Sequence, residues 1–172
     1  MPDKVLILIA LSVIIVMLAG TATRMGKPQP ATPVTMDRIM RVEPPRPLSV
    51  ATVAGPAVVT FWATWCTPCL RELPTFLPFK AKADKAGINL LAIAEDKDGA
   101  KVVQPFVEQH GLGAVPMRLD ADNSLSKAMG VRGLPTTLIL NSKGEEVGRV
   151  EGETDWSTDE AFEAVSSLVQ PR

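Results

Sequence analysis

Residues 57–69 read Ala-Val-Val-Thr-Phe-Trp-Ala-Thr-Trp-Cys-Thr-Pro-Cys. The first six are β-branched, aromatic or small, as in a strand buried on both faces. A helix opens near Thr67, so the C-x-x-C spacing falls where a strand hands over to a helix. Three residues apart in a first helical turn, the two sulfurs share one face and can close a small ring. Cys66 stands at the helix N-terminus, where unpaired N–H groups and the dipole favour a thiolate. Cys69 lies one turn deeper and is shielded. The pattern therefore predicts Cys66 as attacking nucleophile and Cys69 as resolving thiol. Pro68 suits a first turn, where no N–H is needed. With Thr67 it is expected to tune the redox potential.

Other chemistries of the pair fit less well. The chain has two cysteines and one histidine, so a Cys₄ zinc site is impossible and His110 stands alone. A disulfide across three residues closes too short a loop to stabilise much. A Cu(I) carrier using both thiolates is the alternative from another functional class, opposed by the adjacent proline and the lack of an evident third ligand. A net charge of -1 over 172 residues offers no basic field for nucleic acid. No metal is expected, and no cofactor beyond a redox-active Cys66–Cys69 disulfide.

Outward from the motif, the helix is expected to run from Thr67 toward Ala86 with Pro74 and Pro78 inside it. Residues 88–94 form a second apolar strand, stopped by the charged loop Glu95-Asp96-Lys97-Asp98. A helix over 101–110 contains Pro105 and ends at His110 and Gly111, with His110 a surface residue favoured by the helix dipole. A strand at 115–119 and a short helix at 124–129 follow. Residues 136–140 and 145–150 form an antiparallel hairpin turning at Gly144. Ser157 and Glu160 read as a capping box for a last helix over 158–169. The order β-α-β-α-β-α-β-β-α gives an α/β fold, a central mixed sheet flanked by helices.

The N-terminal region is different in kind. Residues 5–22 carry no charge and no proline, and as a helix they would reach about 27 Å, enough to span a bilayer core. We read 1–23 as an uncleaved signal anchor, the alternative being a cleaved signal peptide. Arg24, Lys27, Arg38 and Arg41 outweigh Lys4 and the terminal amine, and the positive-inside rule alone would leave the domain in the cytoplasm. The short N-terminus before an apolar run also reads as an export signal, and that reading is adopted. Residues 24–47 hold six prolines from Pro28 to Pro47, which predicts a semi-rigid spacer. The domain itself is assigned to 48–172.

Phe61-Trp62-Ala63-Thr64-Trp65-Cys66-Thr67-Pro68-Cys69, with Pro74 beyond it and Gly133-Leu134-Pro135-Thr136 before a late strand, resembles the thioredoxin fold. More narrowly it is similar to the membrane-anchored bacterial TlpA/ResA-like thiol:disulfide interchange proteins, over about residues 48–170. That resemblance implies a cis Pro135 beside the disulfide, leaving the Leu134 backbone to pair with a client chain. It also implies a proton-transfer role for Glu72 near Cys69, where the plainer alternative is a solvated glutamate paired with Arg71 or Lys80. Thioredoxin's buried acid is replaced by Thr60. Trp65 is expected to shape the docking surface and Trp62 to be core.

The implied activity is reduction of disulfides in exported proteins, on the extracytoplasmic side of the inner membrane. A membrane thiol-transfer protein would supply the electrons. Copper-site assembly of respiratory oxidases or cytochrome c maturation would supply the clients. Copper is the first choice, because Thr136 follows Pro135 where the haem branch has an acid. An oxidase that forms disulfides has the same residues and differs in potential.

Overall fold

The computed structural model describes residues 38–47, 53 and 55–170. The residues read as a membrane anchor lie outside these. Among the described residues no helix is long and apolar enough to cross a membrane.

In chain order the elements are β1 (Met40–Pro47), β2 (Ala57–Trp62), α1 (Thr67–Glu72), a 3-10 turn (Leu73–Thr75), α2 (Phe76–Lys85), β3 (Asn89–Ala94), α3 (Ala100–Gln109), β4 (Met117–Leu119), α4 (Ser124–Ala128), β5 (Thr136–Leu140), β6 (Glu145–Glu151) and α5 (Asp159–Val169). They build a six-stranded mixed sheet in the order β1-β6-β5-β2-β3-β4. β2, β3 and β4 are parallel; β5, β6 and β1 add antiparallel. The thioredoxin-like α/β expectation is met.

β2 lies near the middle of the sheet and is buried along its length. Alternate side chains go to opposite faces. Val58 and Trp62 join the larger core with Phe76 and Phe79 of α2, Val103 of α3, and Ala161 and Val165 of α5. Ala57, Val59 and Phe61 meet Leu138, Leu140 and Met129 on the other face. Trp62 is therefore core, as expected. Both faces of β2 are covered, so its C-terminal end holds the following loop rigidly.

The structure departs from the sequence reading in four places. The prolines of the presumed spacer do not keep its end out of the sheet: β1 pairs antiparallel with β6, so the sheet starts before residue 48. Proline is tolerated on an edge strand or at a bulge. Here Pro44 and Pro45 sit in the irregular stretch between the Arg41↔Gly148 and Arg46↔Glu146 pairs. Gly148 gives this edge its close fit, because a Cβ there would come within 2.9 Å of Ile39 Cγ2. The strand is fastened by Glu146, fully buried and ion-paired to Arg46 of β1 and Arg149 of β6. Both arginines also donate to the Met129 carbonyl.

Second, the helix after the motif is divided by the turn Leu73–Thr75, because Pro74 cannot supply an interior N–H. Third, the strand expected at 115–119 is shortened to Met117–Leu119, Pro116 preceding it. Fourth, α5 is capped by Thr158, whose Oγ1 accepts from Ala161 N at 3.1 Å. Ser157 is instead drawn into a turn on Asp155 Oδ1 by its own N–H (2.9 Å) and hydroxyl (2.6 Å). α3 does continue through Pro105, which lies on an exposed part of the helix, where a carbonyl left without its N–H partner is open to solvent. His110 closes it, its ring stacked on Phe106 at 3.9 Å.

Candidate active site

Cys66 is the N-cap of α1, in an extended conformation, and its Sγ accepts from Cys69 N at 3.3 Å. A sulfur that already receives a backbone N–H at a helix start is placed where negative charge is stabilised. Cys66 and Cys69 are joined as a disulfide. Cys66 keeps 5% exposure and Cys69 has none, so only Cys66 can be approached from solvent.

The loop carrying Cys66 is tied down from behind. Glu95 N donates to Trp62 O at 2.9 Å, extending the β2–β3 ladder by one step. The buried Asp96 carboxylate then accepts from Thr64 N and from the Thr64 hydroxyl. Pro68 occupies the first turn of α1 without a missing donor.

In front of Cys66 opens a cleft of about 620 Å³. Trp65, Thr67, Pro68 and Leu134 line it together with Glu95 and Ser126. Trp65 is 68% exposed, a large apolar surface that a docking partner can cover. The Leu134–Pro135 peptide is cis. Its loop is held by Gly152 N donating to Pro135 O at 2.8 Å and by the Thr136 hydroxyl donating to Gly133 O at 2.7 Å. The structure brings Cys66, Trp65, Thr67, Pro68 and Leu134 together on one cleft, while Cys69 and Glu72 are buried on α1.

Glu72 is no solvated helix residue. It is 2% exposed, while Arg71 pairs with Glu153 and Lys80 with Asp84. Its Oε1 accepts from Trp156 Nε1, an indole stacked on Phe76 at 5.2 Å. Burial pushes its carboxyl up to about 8, partly opposed by the Trp156 hydrogen bond; Glu153 adds to the rise and Arg38 opposes it. A carboxyl one turn from Cys69 thus changes protonation near neutral pH. At the position of thioredoxin's buried acid, Thr60 accepts from the Thr137 hydroxyl at 3.0 Å, both side chains buried.

The sequence reading missed Asp96, Trp156 and the cleft face of Glu95. It treated Glu95-Asp96 only as a polar stop to β3, although ligands of open α/β sheets gather at the carboxyl ends of parallel strands. That rule singles out the pair. Trp156 carried no local signal, since its contact with Glu72 spans 84 residues. Among the described residues no group of three His, Cys, Asp or Glu side chains could hold a metal ion.

The comparisons with known proteins agree with this geometry. Residues 32–145 match the AhpC/TSA family. The chain is 31% identical over 113 residues to the thiol-disulfide oxidoreductase ResA of Halalkalibacterium halodurans, covering 66% of this chain and 61% of that protein. It is 29% identical over 126 residues to the sporulation thiol-disulfide oxidoreductase A of Bacillus subtilis, covering 72% and 74%. Among solved structures, a secreted Mycobacterium tuberculosis disulfide oxidoreductase homologous to E. coli DsbE superposes with a TM-score of 0.55 at 25% identity, covering 66% of this chain and 82% of that one.

Proposed function

From the premise that this chain belongs to the AhpC/TSA family, we propose that it is a thiol-disulfide oxidoreductase of the ResA type. Cys66 attacks a client disulfide and Cys69 resolves the intermediate. The observation that carries this reading is the solvent-reachable Cys66, capping α1, receiving the Cys69 N–H and disulfide-bonded to a fully buried partner. The electrons reside on the two sulfurs, so no dissociable cofactor is required. Trp65, Thr67 and Pro68 line the client groove. Leu134, held by the loop around Pro135, offers its backbone to the client there.

Resolution needs Cys69 as a thiolate, and burial makes that unfavourable without a proton acceptor. Glu72 is the acceptor in this reading: it is buried on α1 three residues after Cys69, and its carboxyl, pushed up to about 8, takes the proton from its ionised form. Its partner Trp156 fixes its orientation.

The direction we assign is reductive, on exported clients. The apolar run 5–22 supports a membrane tether with the domain on the extracytoplasmic side. The relatives named thiol-disulfide oxidoreductase ResA support chemistry on disulfides; protein clients and a membrane thiol-transfer protein as electron source complete the proposal. Thr136 after Pro135 favours copper-site cysteines over haem-binding ones as clients.

The test is a trapping experiment. Cys69→Ser incubated with a disulfide-containing peptide accumulates a mixed disulfide through Cys66, whereas Cys66→Ser accumulates none. A mixed disulfide through Cys69 instead, or stoichiometric Cu(I) uptake with no mixed disulfide, would contradict the proposal.

A further inference from the structure

Among the described residues Glu95 is the one carboxyl side chain on the wall of the cleft that Cys66 lines. Its backbone is bolted to the end of β2 through Trp62 O, and the next residue, Asp96, is bonded to Thr64. The Glu95 backbone is therefore fixed relative to the loop that presents Cys66, and its side chain lines the same cleft. Its Oε1 is buried and, among the described residues, has no hydrogen-bond partner. An orphaned polar atom is costly unless something in the site uses it.

The neighbours of this carboxyl are few. The Ser126 hydroxyl of α4, which donates to Asn123 O at 3.2 Å, shares the cleft with it and favours its charged form. Asp120, just after β4, opposes that charge, though its own oxygens are engaged by Leu125 N and Ser126 N at 3.0 and 2.8 Å. Lys127 of α4 lies exposed on the same cleft, and Arg132 is paired with Glu151 at 3.2 Å. Neither forms an ion pair with Glu95 among the described contacts. Burial dominates and holds the carboxyl above its usual range. α1 and the Leu134 loop present no charge to it from Thr67, Pro68, Gly133 or Leu134.

Attack by Cys66 creates charge in this cleft. The Cys66 thiolate forms a bond to one client sulfur, the client S–S bond breaks, and its electron pair leaves on the second client sulfur. That sulfur must take a proton or depart as a thiolate beside apolar walls. We propose that Glu95 is the general acid for this step, giving its carboxyl proton to the departing client sulfur. Glu95 becomes a carboxylate and is reprotonated from solvent. Cys69, deprotonated in turn, attacks Cys66 and releases the first client sulfur; the client gains two electrons and the Cys66–Cys69 pair loses them. The inference rests on the reading of Cys66 as nucleophile. It assigns a second acid, separate from Glu72, which serves the resolving thiol.

The test compares two disulfide probes on the full-length chain carrying Cys69→Ser, in which reaction stops at the mixed disulfide. The aromatic probe, 5,5′-dithiobis(2-nitrobenzoate), expels a weakly basic thiolate that needs no proton; oxidised glutathione expels a basic alkyl thiolate. Adding Glu95→Gln is expected to slow the glutathione reaction at pH 7 by at least about tenfold and leave the aromatic one within about twofold. With Glu95 intact, the glutathione-to-aromatic rate ratio should fall as pH rises through the Glu95 titration, because the titration of Cys66 cancels in the ratio. Equal slowing of both probes by Glu95→Gln overturns the proposal, as does no slowing of either. Should that variant fail to fold, a pH-independent ratio with Glu95 intact overturns it alone. Failure of the Glu95-intact protein to react with either probe refutes the reading of Cys66 itself.

Discussion

Glu72 and Glu146 are both buried glutamates, at 2% and 0% exposure, yet they serve different purposes. Glu146 sits between two guanidiniums, Arg46 and Arg149, and fastens β1 to β6. Glu72 has an indole N–H as its hydrogen-bond donor and lies on the helix that carries both cysteines. A carboxylate between two arginines serves structure, tying two strands through its ion pairs. One facing an indole in an aromatic pocket is held near its protonation point and is available for chemistry.

The comparison is tested most strongly by Glu72→Gln. The native carboxyl titrates at about 8 against an ordinary 4.5, so the folded state binds the extra proton. Its contribution to stability is full below about 4.5 and is lost as pH rises toward 8. Glutamine keeps an oxygen for Trp156 Nε1 and never ionises. Denaturant unfolding should show the variant equal to the native protein near pH 4, and more stable by roughly 3–5 kcal/mol at pH 8. Resolution of the mixed disulfide should slow at the same time. A pH-independent difference would remove Glu72 from the chemistry.

Arg149→Ala attacks the other glutamate. It strands a fully buried carboxylate on Arg46 alone, and the loss should be roughly 2–4 kcal/mol at pH 7. Trapping by Cys66 should be unchanged in the folded fraction, since Arg149 stands outside the cleft residues. A loss below about 0.5 kcal/mol would show that the ion pairs are worth no more than exposed ones. Trp156→Phe is the smallest of the three. It removes the donor to Glu72 while keeping an aromatic ring against Phe76, at a cost of about 1–3 kcal/mol. Because that hydrogen bond opposes the burial effect, the pH dependence of resolution should move upward. A downward move would contradict the assignment.

The same two regions show where the sequence could be read. Around Cys66 the signals are local and agree: a β-branched strand, a C-x-x-C at its end, and a proline fitted to a first helical turn. The hairpin at Gly144 and the strand 88–94 are equally local, so the order of elements along the chain followed. β1 was hidden because six prolines in 24–47 argue against strand, and only pairing to β6 with the Glu146 ion pairs overrides them. Trp156 and the cleft face of Glu95 depend on contacts between distant segments. No periodicity over ten residues carries that information.

The measurement that bears most directly on the account is the reduction potential of the Cys66–Cys69 pair by equilibration with glutathione. A reductant of client disulfides predicts a value below about −230 mV, near the roughly −270 mV of thioredoxin. A value near about −120 mV would contradict it and make the chain an oxidant of folding proteins.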